Sequence, residues 1–344
     1  MKTDRKLVRV LEGSAQTPPP VWLMRQAGRY LPEYRALREK AGSFWGMALN
    51  PEFAAEVTIQ PIRRFGFDAA ILFSDILTVP EALGQKVTFT AGEGPSMTPV
   101  TGLEGFDRDQ DRWAAYFAPV YEALRLTRAG LDLEGFNETT LLGFAGAPWT
   151  LATYLAAGAG GDEQKAAKLW AYADPKGFGE LLDLLADCVA FHLIRQLRAG
   201  ADAVQIFDSW ASGLPPALFE RVVIGPTVRV VAAVRAAVPD ARIIGFPRAA
   251  TQAGYEAYVR AIPVNAVSLD TAAPMDWAAR ALPCAVQGNL DPIALIAGGA
   301  ALDRAVDDIL AATAGKPFIF NLGHGILPPT PIAHVEQLLK RLRG

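Results

Sequence analysis

Short apolar runs separated by long amphipathic stretches recur along nearly the whole chain, and that alternation narrows the folds open to it. The runs at 21–25, 69–73, 140–145, 203–207, 242–246, 266–269, 284–287 and 318–322 are brief, rich in β-branched or aromatic residues, and bounded by turn formers. Few of them alternate apolar with polar. Parallel strands covered on both faces read that way. Between them, residues 32–40, 51–65, 175–198, 216–237, 292–314 and 331–342 read as helices, each opened by proline. Eight strand-and-helix repeats predict an α/β fold, a single closed (β/α)8 barrel of the TIM type spanning residues 1–344 as one domain. An open doubly wound sheet is the alternative arrangement. Residues 85–101 break the alternation and predict a hairpin, turning at Gly92-Glu93-Gly94, inserted after the second strand.

Composition excludes several roles. Thirty-three basic against 36 acidic residues leave a net charge of -3. A nucleic-acid partner is therefore not expected, because such binders show a basic domain or stripe. No run of eighteen apolar residues predicts a membrane span. The amino terminus lacks the apolar core of a secretory signal, and the only two cysteines, Cys188 and Cys284, lie in apolar surroundings. A reduced, cytoplasmic protein is expected.

In a barrel, chemistry gathers at the carboxyl ends of the strands. Just past them come Arg25-Gln26-Ala27-Gly28-Arg29, Ser74-Asp75, Asp208-Ser209-Trp210, Pro247-Arg248, Asp270, Gly288-Asn289 and Gly323-His324-Gly325. Arginine presents a planar, permanently charged fork that grips carboxylates in pairs. Two arginines around a permissive glycine suit a polyanionic ligand. Arg35 and Arg38 share a face of the following helix. Arg35 reads as a surface residue paired with Glu33 or Glu39. Asp75 reads equally well as a functional carboxylate or as a cap on the next helix.

The stretch PVWLMRQAGRYLPEYR closely resembles the amino-terminal motif of the uroporphyrinogen decarboxylases. GFAGAPWTLATYL, FDSWAS and GHGILPPTP resemble further motifs of that family, in the family order. The likeness runs from about residue 18 to residue 343. It implies a (β/α)8 barrel, a homodimer with facing clefts, uroporphyrinogen III as substrate, and neither metal nor organic cofactor. Carried over position by position, Arg25, Gln26, Ala27, Gly28 and Arg29 match the loop that contacts substrate, and Arg38 a further arginine near its carboxylates. Asp75 matches the central aspartate. Tyr154, Ser209 and His324 match other pocket residues, and Phe207 an apolar wall. After Tyr154 the chain reads LAAGAGG, where relatives commonly carry Met and Glu; that acidic side chain is missing here.

What the resemblance implies chemically is loss of CO2 from four acetate arms, with the substrate's own protonated pyrrole as the electron sink. Catalysis would fall to Asp75, Arg25 and Arg29. Two other functions are open from the residues. A zinc-dependent corrinoid methyltransferase of the same superfamily would need histidine and cysteine ligands, and no His-x-Cys pair is present. A non-catalytic tetrapyrrole carrier would have no use for Asp75, which is present.

Overall fold

The computed structural model describes residues 5–90, 94–160 and 163–344. Its strands are β1 (Ala69–Ile71), β2 (Thr88–Thr90), β3 (Gly94–Ser96), β4 (Thr140–Gly146), β5 (Ala203–Asp208), β6 (Ile243–Pro247), β7 (Ala266–Ser268), β8 (Ala285–Leu290) and β9 (Phe318–Leu322). Seven of them form one parallel sheet in the order β1-β4-β5-β6-β7-β8-β9, curled in the manner of a TIM barrel. Strands β4, β5, β6, β8 and β9 are buried almost throughout, which is why their sequences lack alternation.

The strand expected at 21–25 does not form. The segment contributes one parallel bridge, Val21 to Phe320, and no ladder. Phe320 N–H donates to the Pro20 carbonyl, and Trp22 N–H to the Phe320 carbonyl. On the other side Asp68 N–H donates to the Val21 carbonyl. This segment therefore fills the gap between β9 and β1. Beyond Trp22, side chains take over its backbone groups. Leu23 N–H donates to Gln26 Oε1 at 3.1 Å and Met24 N–H to Asn321 Oδ1 at 2.9 Å. Arg25 then turns into the left-handed region at φ 63°.

Two long helices are also interrupted. The stretch expected at 216–237 holds Pro216–Phe219, a π-helical turn Glu220–Ile224, and Gly225–Ala237. Pro226 has no N–H to give to the preceding turn, and the wider turn absorbs that loss. The stretch at 292–314 splits into Pro292–Ala297 and Gly299–Ala312 at Gly298, whose φ of 66° and ψ of -164° only glycine adopts readily. An unexpected short helix, Lys6–Leu11, plugs the amino-terminal end of the barrel. Its Leu7, Val10 and Leu11 pack with Ala69, Leu142, Ala203, Ile244 and Ala285 inside.

The expected hairpin forms as β2 against β3, antiparallel, with Thr88 opposite Ser96. Of its expected turn, Gly92 and Glu93 lie outside the described residues. Below the carboxyl ends of the strands a buried polar layer crosses the barrel. Trp22 Nε1 donates to Gln287 Oε1 at 3.0 Å, and Gln287 Nε2 donates to Gln205 Oε1 and Ser268 Oγ, both at 3.1 Å. Among the described residues no helix is long and apolar enough to cross a membrane.

Candidate active site

A cavity of about 410 Å³ opens at the carboxyl end of the sheet. It is lined by Arg25, Gln26, Ala27, Gly28, Arg29, Asp75, Tyr154, Phe207, Ser209 and His324, together with Tyr34, Phe44, Phe73, Phe89, Phe144, Ile326 and others. Arg38 does not line it. That side chain sits by Tyr34 on the helix Pro32–Ala41, close enough for its charge to act on the tyrosine.

The loop at 23–31 is built from within. Gln26 is 1% exposed, and both ends of its amide are hydrogen-bonded to backbone. Oε1 accepts from Leu23 N–H, and Nε2 donates to the Ala69 carbonyl at 3.0 Å. Tyr30 Oη donates to the Gln26 carbonyl at 2.8 Å. Gln26 therefore shapes the loop through both ends of its side chain. Arg35, read as a partner of Glu33 or Glu39, instead donates from Nη1 to the Arg29 carbonyl at 2.8 Å. Glu33 accepts the fork of Arg64 at 2.7 and 2.9 Å.

Arg25 takes its path across the cavity because Gly325 has no side chain. A Cβ there would lie 2.8 Å from Arg25 Cγ and 3.0 Å from its Nε. Gly323 is constrained differently: a Cβ would lie 2.6 Å from the Thr271 Cα, so backbone meets backbone. None of the ion pairs among the described residues uses Arg25, Arg29, Arg38 or Arg248. Arg25 and Arg29 are exposed and Arg38 and Arg248 half-buried, and none of the four charges is neutralised by a carboxylate of the described residues.

Asp75 stands half-buried on the cavity wall. Its Oδ1 accepts from Leu77 N–H at 2.8 Å, a turn bond just before the helix Thr78–Ala82, whose N-cap is Leu77 and which has no side-chain cap; Asp75 is therefore not the cap the sequence allowed. Among the described residues its Oδ2 accepts no hydrogen bond, leaving one oxygen for a ligand. Loss of water raises its pKa to about 6, against the opposing pull of the Leu77 N–H and the Arg25 charge. It is thus a carboxylate at neutral pH. His324 is pushed down to about 4 by burial, then by the charges of Arg248 and Arg25, and stays a neutral imidazole. Its Nδ1 is buried and has no partner among the described residues.

The remaining wall is set by a clamp that sequence reasoning missed. Thr150 Oγ1 donates to Asp208 Oδ1 at 2.5 Å and accepts from Trp210 N–H at 3.2 Å. Trp149 Nε1 adds a bond to the Trp210 carbonyl at 2.8 Å. These bonds tie the helix Pro148–Ala157, which carries Tyr154, to the end of β5, which carries Ser209. The partners lie 58 positions apart, so no local pattern announces them. The aromatic lining was also missed. Tyr34, Phe44 and Phe89 come from the helices and hairpin outside the barrel, where strand-end reading does not look.

Among the described residues no three His, Cys, Asp or Glu side chains are grouped to hold a metal. Cys188 is buried in the helix Pro175–Arg198, and Cys284 precedes β8, at the end of the barrel opposite His324.

The family model described as uroporphyrinogen decarboxylase (URO-D) matches residues 2–344. The uroporphyrinogen decarboxylase of Brucella anthropi is 53% identical over 341 residues, covering 99% of this chain and 98% of that protein. The protein of the same name from Rhizorhabdus wittichii is 54% identical over 342 residues, covering 99% and 98%. A methyltransferase from Methanosarcina mazei superposes with a TM-score of 0.81 at 19% identity, covering 98% of this chain and 97% of the other, a likeness of fold. The matching family model and the two relatives agree along the full length, and the chain belongs to the uroporphyrinogen decarboxylase family.

Proposed function

We propose that this chain converts uroporphyrinogen III to coproporphyrinogen III, replacing four acetate arms by methyl groups and releasing four CO2 in tetrapyrrole synthesis. The observation that carries the reading is one cavity holding an anion, Asp75, beside the unpaired guanidinium groups of Arg25 and Arg29, with aromatic walls between. A macrocycle with eight carboxylates outside and four pyrrole N–H groups inside has the complementary pattern.

In each cycle a proton adds to a pyrrole ring carbon next to an acetate arm, making the ring cationic. The bond to the carboxylate then breaks, and its electron pair moves into the ring as an exocyclic methylene. A second proton closes the methyl group while the first leaves the ring. The net change per arm is one proton taken up and one CO2 released. The protonated ring serves as electron sink, so the scheme calls on no cofactor. Asp75 accepts pyrrole N–H bonds and stabilises the cation. Opposite charges about 4 Å apart at an effective dielectric near 20 attract by roughly 4 kcal/mol. Felt only in the transition state, that is worth about a thousandfold in rate. Arg25 and Arg29 hold carboxylates, with Arg38 as an outer contact beside Tyr34. Tyr154, Ser209 and His324 give neutral hydrogen bonds, and Phe207 supports the ring's apolar face.

The test is anaerobic incubation with uroporphyrinogen III, with no cofactor added, following the carboxyl number of the products. Stepwise descent from eight carboxyls to four supports the reading. Binding without CO2 release turns it into a carrier. The same reading takes the protein to be a cytoplasmic homodimer; sedimentation at the mass of one 36.9 kDa chain contradicts the dimer.

A further inference from the structure

Arg248 follows β6, just past its carboxyl end. Its backbone N–H donates to the Asp208 carbonyl at 3.0 Å and to the Phe246 carbonyl at 2.9 Å. The next residue, Ala249, has φ 58°, a left-handed turn that a residue with a Cβ enters at a cost. This tight turn folds the side chain back across the end of β5. There Nη1 donates to the Ser209 carbonyl at 3.2 Å. Arg248 is half-buried, and among the described residues no carboxylate pairs with it and that carbonyl is its one side-chain hydrogen-bond partner. Arginine carries five N–H donors, so most of the fork is unused. Leaving a partly dehydrated charge with one neutral partner is unfavourable unless a ligand completes it.

What surrounds the fork says which ligand fits. Ser209 and His324 both line the cavity, and the Arg248 charge reaches His324 from β6 as the Arg25 charge reaches it from the amino-terminal loop. Asp208, on the adjoining strand, has its Oδ1 taken by Thr150. Asp208 Oδ2 is buried without a partner among the described residues, yet no ion pair joins it to Arg248, so the fork is left for a carboxylate from outside.

We propose that Arg248 is a further substrate-binding residue, receiving a carboxylate arm of the macrocycle on the Ser209–His324 side of the cavity. The inference rests on the function proposed above and assigns a binding partner that the family resemblance does not. Arg248→Gln keeps an N–H for the Ser209 carbonyl and removes the charge, whereas Arg248→Lys keeps the charge. The experiment measures KM and kcat for uroporphyrinogen in the full-length enzyme and both variants, with NMR titration of His324 in the unliganded proteins. Losing a charge-assisted carboxylate bond is expected to raise KM about tenfold or more in Arg248→Gln, with kcat within about twofold. Arg248→Lys is expected to recover most of that loss. The His324 imidazole is expected to titrate higher in Arg248→Gln than in wild type. A wild-type KM in Arg248→Gln overturns the proposal, because anchoring of Ser209 is then all that Arg248 does. Equal KM increases in both variants overturn it too, assigning the effect to packing. A wild-type enzyme that leaves uroporphyrinogen unchanged sinks the parent reading instead.

Discussion

Two glycines flank His324, and they should fail in different ways. In Gly325→Ala the new Cβ would stand 2.8 Å from Arg25 Cγ, well inside an ordinary contact of 3.4 Å or more. Gly325 has no positive φ, so alanine suits its backbone, and the obstruction is a flexible side chain. Arg25 swings aside and loses its aim at the substrate carboxylate. A charge-assisted hydrogen bond is worth about 1.5–3 kcal/mol, so kcat/KM should fall roughly 10- to 150-fold while the melting temperature barely moves. In Gly323→Ala the Cβ meets the Thr271 backbone, 2.6 Å from its Cα. There the chain itself must shift, at a cost of about 1–3 kcal/mol, and the melting temperature should drop by a few degrees. Steady-state kinetics and thermal melts on both variants decide the matter. A Gly325→Ala enzyme with wild-type kcat/KM refutes the idea that the path of Arg25 matters. A melting loss equal to that of Gly323→Ala refutes the distinction between side-chain and backbone contact.

Three further outcomes follow from the same geometry. Burial raises Asp75 from 3.8 to about 6, so across that interval the folded state holds a proton that the unfolded chain has released. Its contribution to stability therefore falls as pH rises from about 4 to about 6, by on the order of 3 kcal/mol at neutrality. Asp75→Asn keeps an acceptor for Leu77 N–H without the charge. Denaturant melts should find it more stable than wild type at pH 8 and equal at pH 4, and lower stability at pH 8 would refute this. Arg29→Ala should lower kcat/KM by about tenfold or more, chiefly through KM; unchanged kinetics would remove Arg29 from substrate capture. Thr150→Val leaves the Asp208 carboxyl and the Trp210 N–H without their partner, at about 1–3 kcal/mol of stability, with Thr150→Ser restoring it. A valine variant as stable as wild type in urea would discount the clamp.

Much of the barrel could be read from punctuation. Pro51 after Asn50 and Gly66 at φ 61° mark the ends of the helix Pro51–Phe65, because those residue types meet the backbone demands there. Interruptions were less legible. Pro226 and the Gly298-Gly299 pair are visible, but whether a helix bends, widens or stops depends on its packing. The segment at 21–25 has strand-like residues, yet Gln26 and Asn321 claim its N–H groups, and Asn321 lies 297 positions away from Met24. Strand-end reading located most of the polar cavity lining. It did not separate residues that face the cavity from those that shape it. Gln26, within the motif, is spent on the loop's own backbone, whereas Arg35, read as a surface pair, holds the Arg29 carbonyl. Composition and spacing do not record which atoms of a polar side chain are already engaged.

The most direct measurement compares Asp75→Asn with wild type in two assays on the same anaerobic samples, binding of uroporphyrinogen III and release of CO2. With a negative charge opposite the protonated ring as the source of rate, the variant should bind with a Kd within a few fold of wild type. Its decarboxylation should be slower by about a thousandfold. CO2 release at the wild-type rate from Asp75→Asn would contradict the account, whatever the binding assay returned.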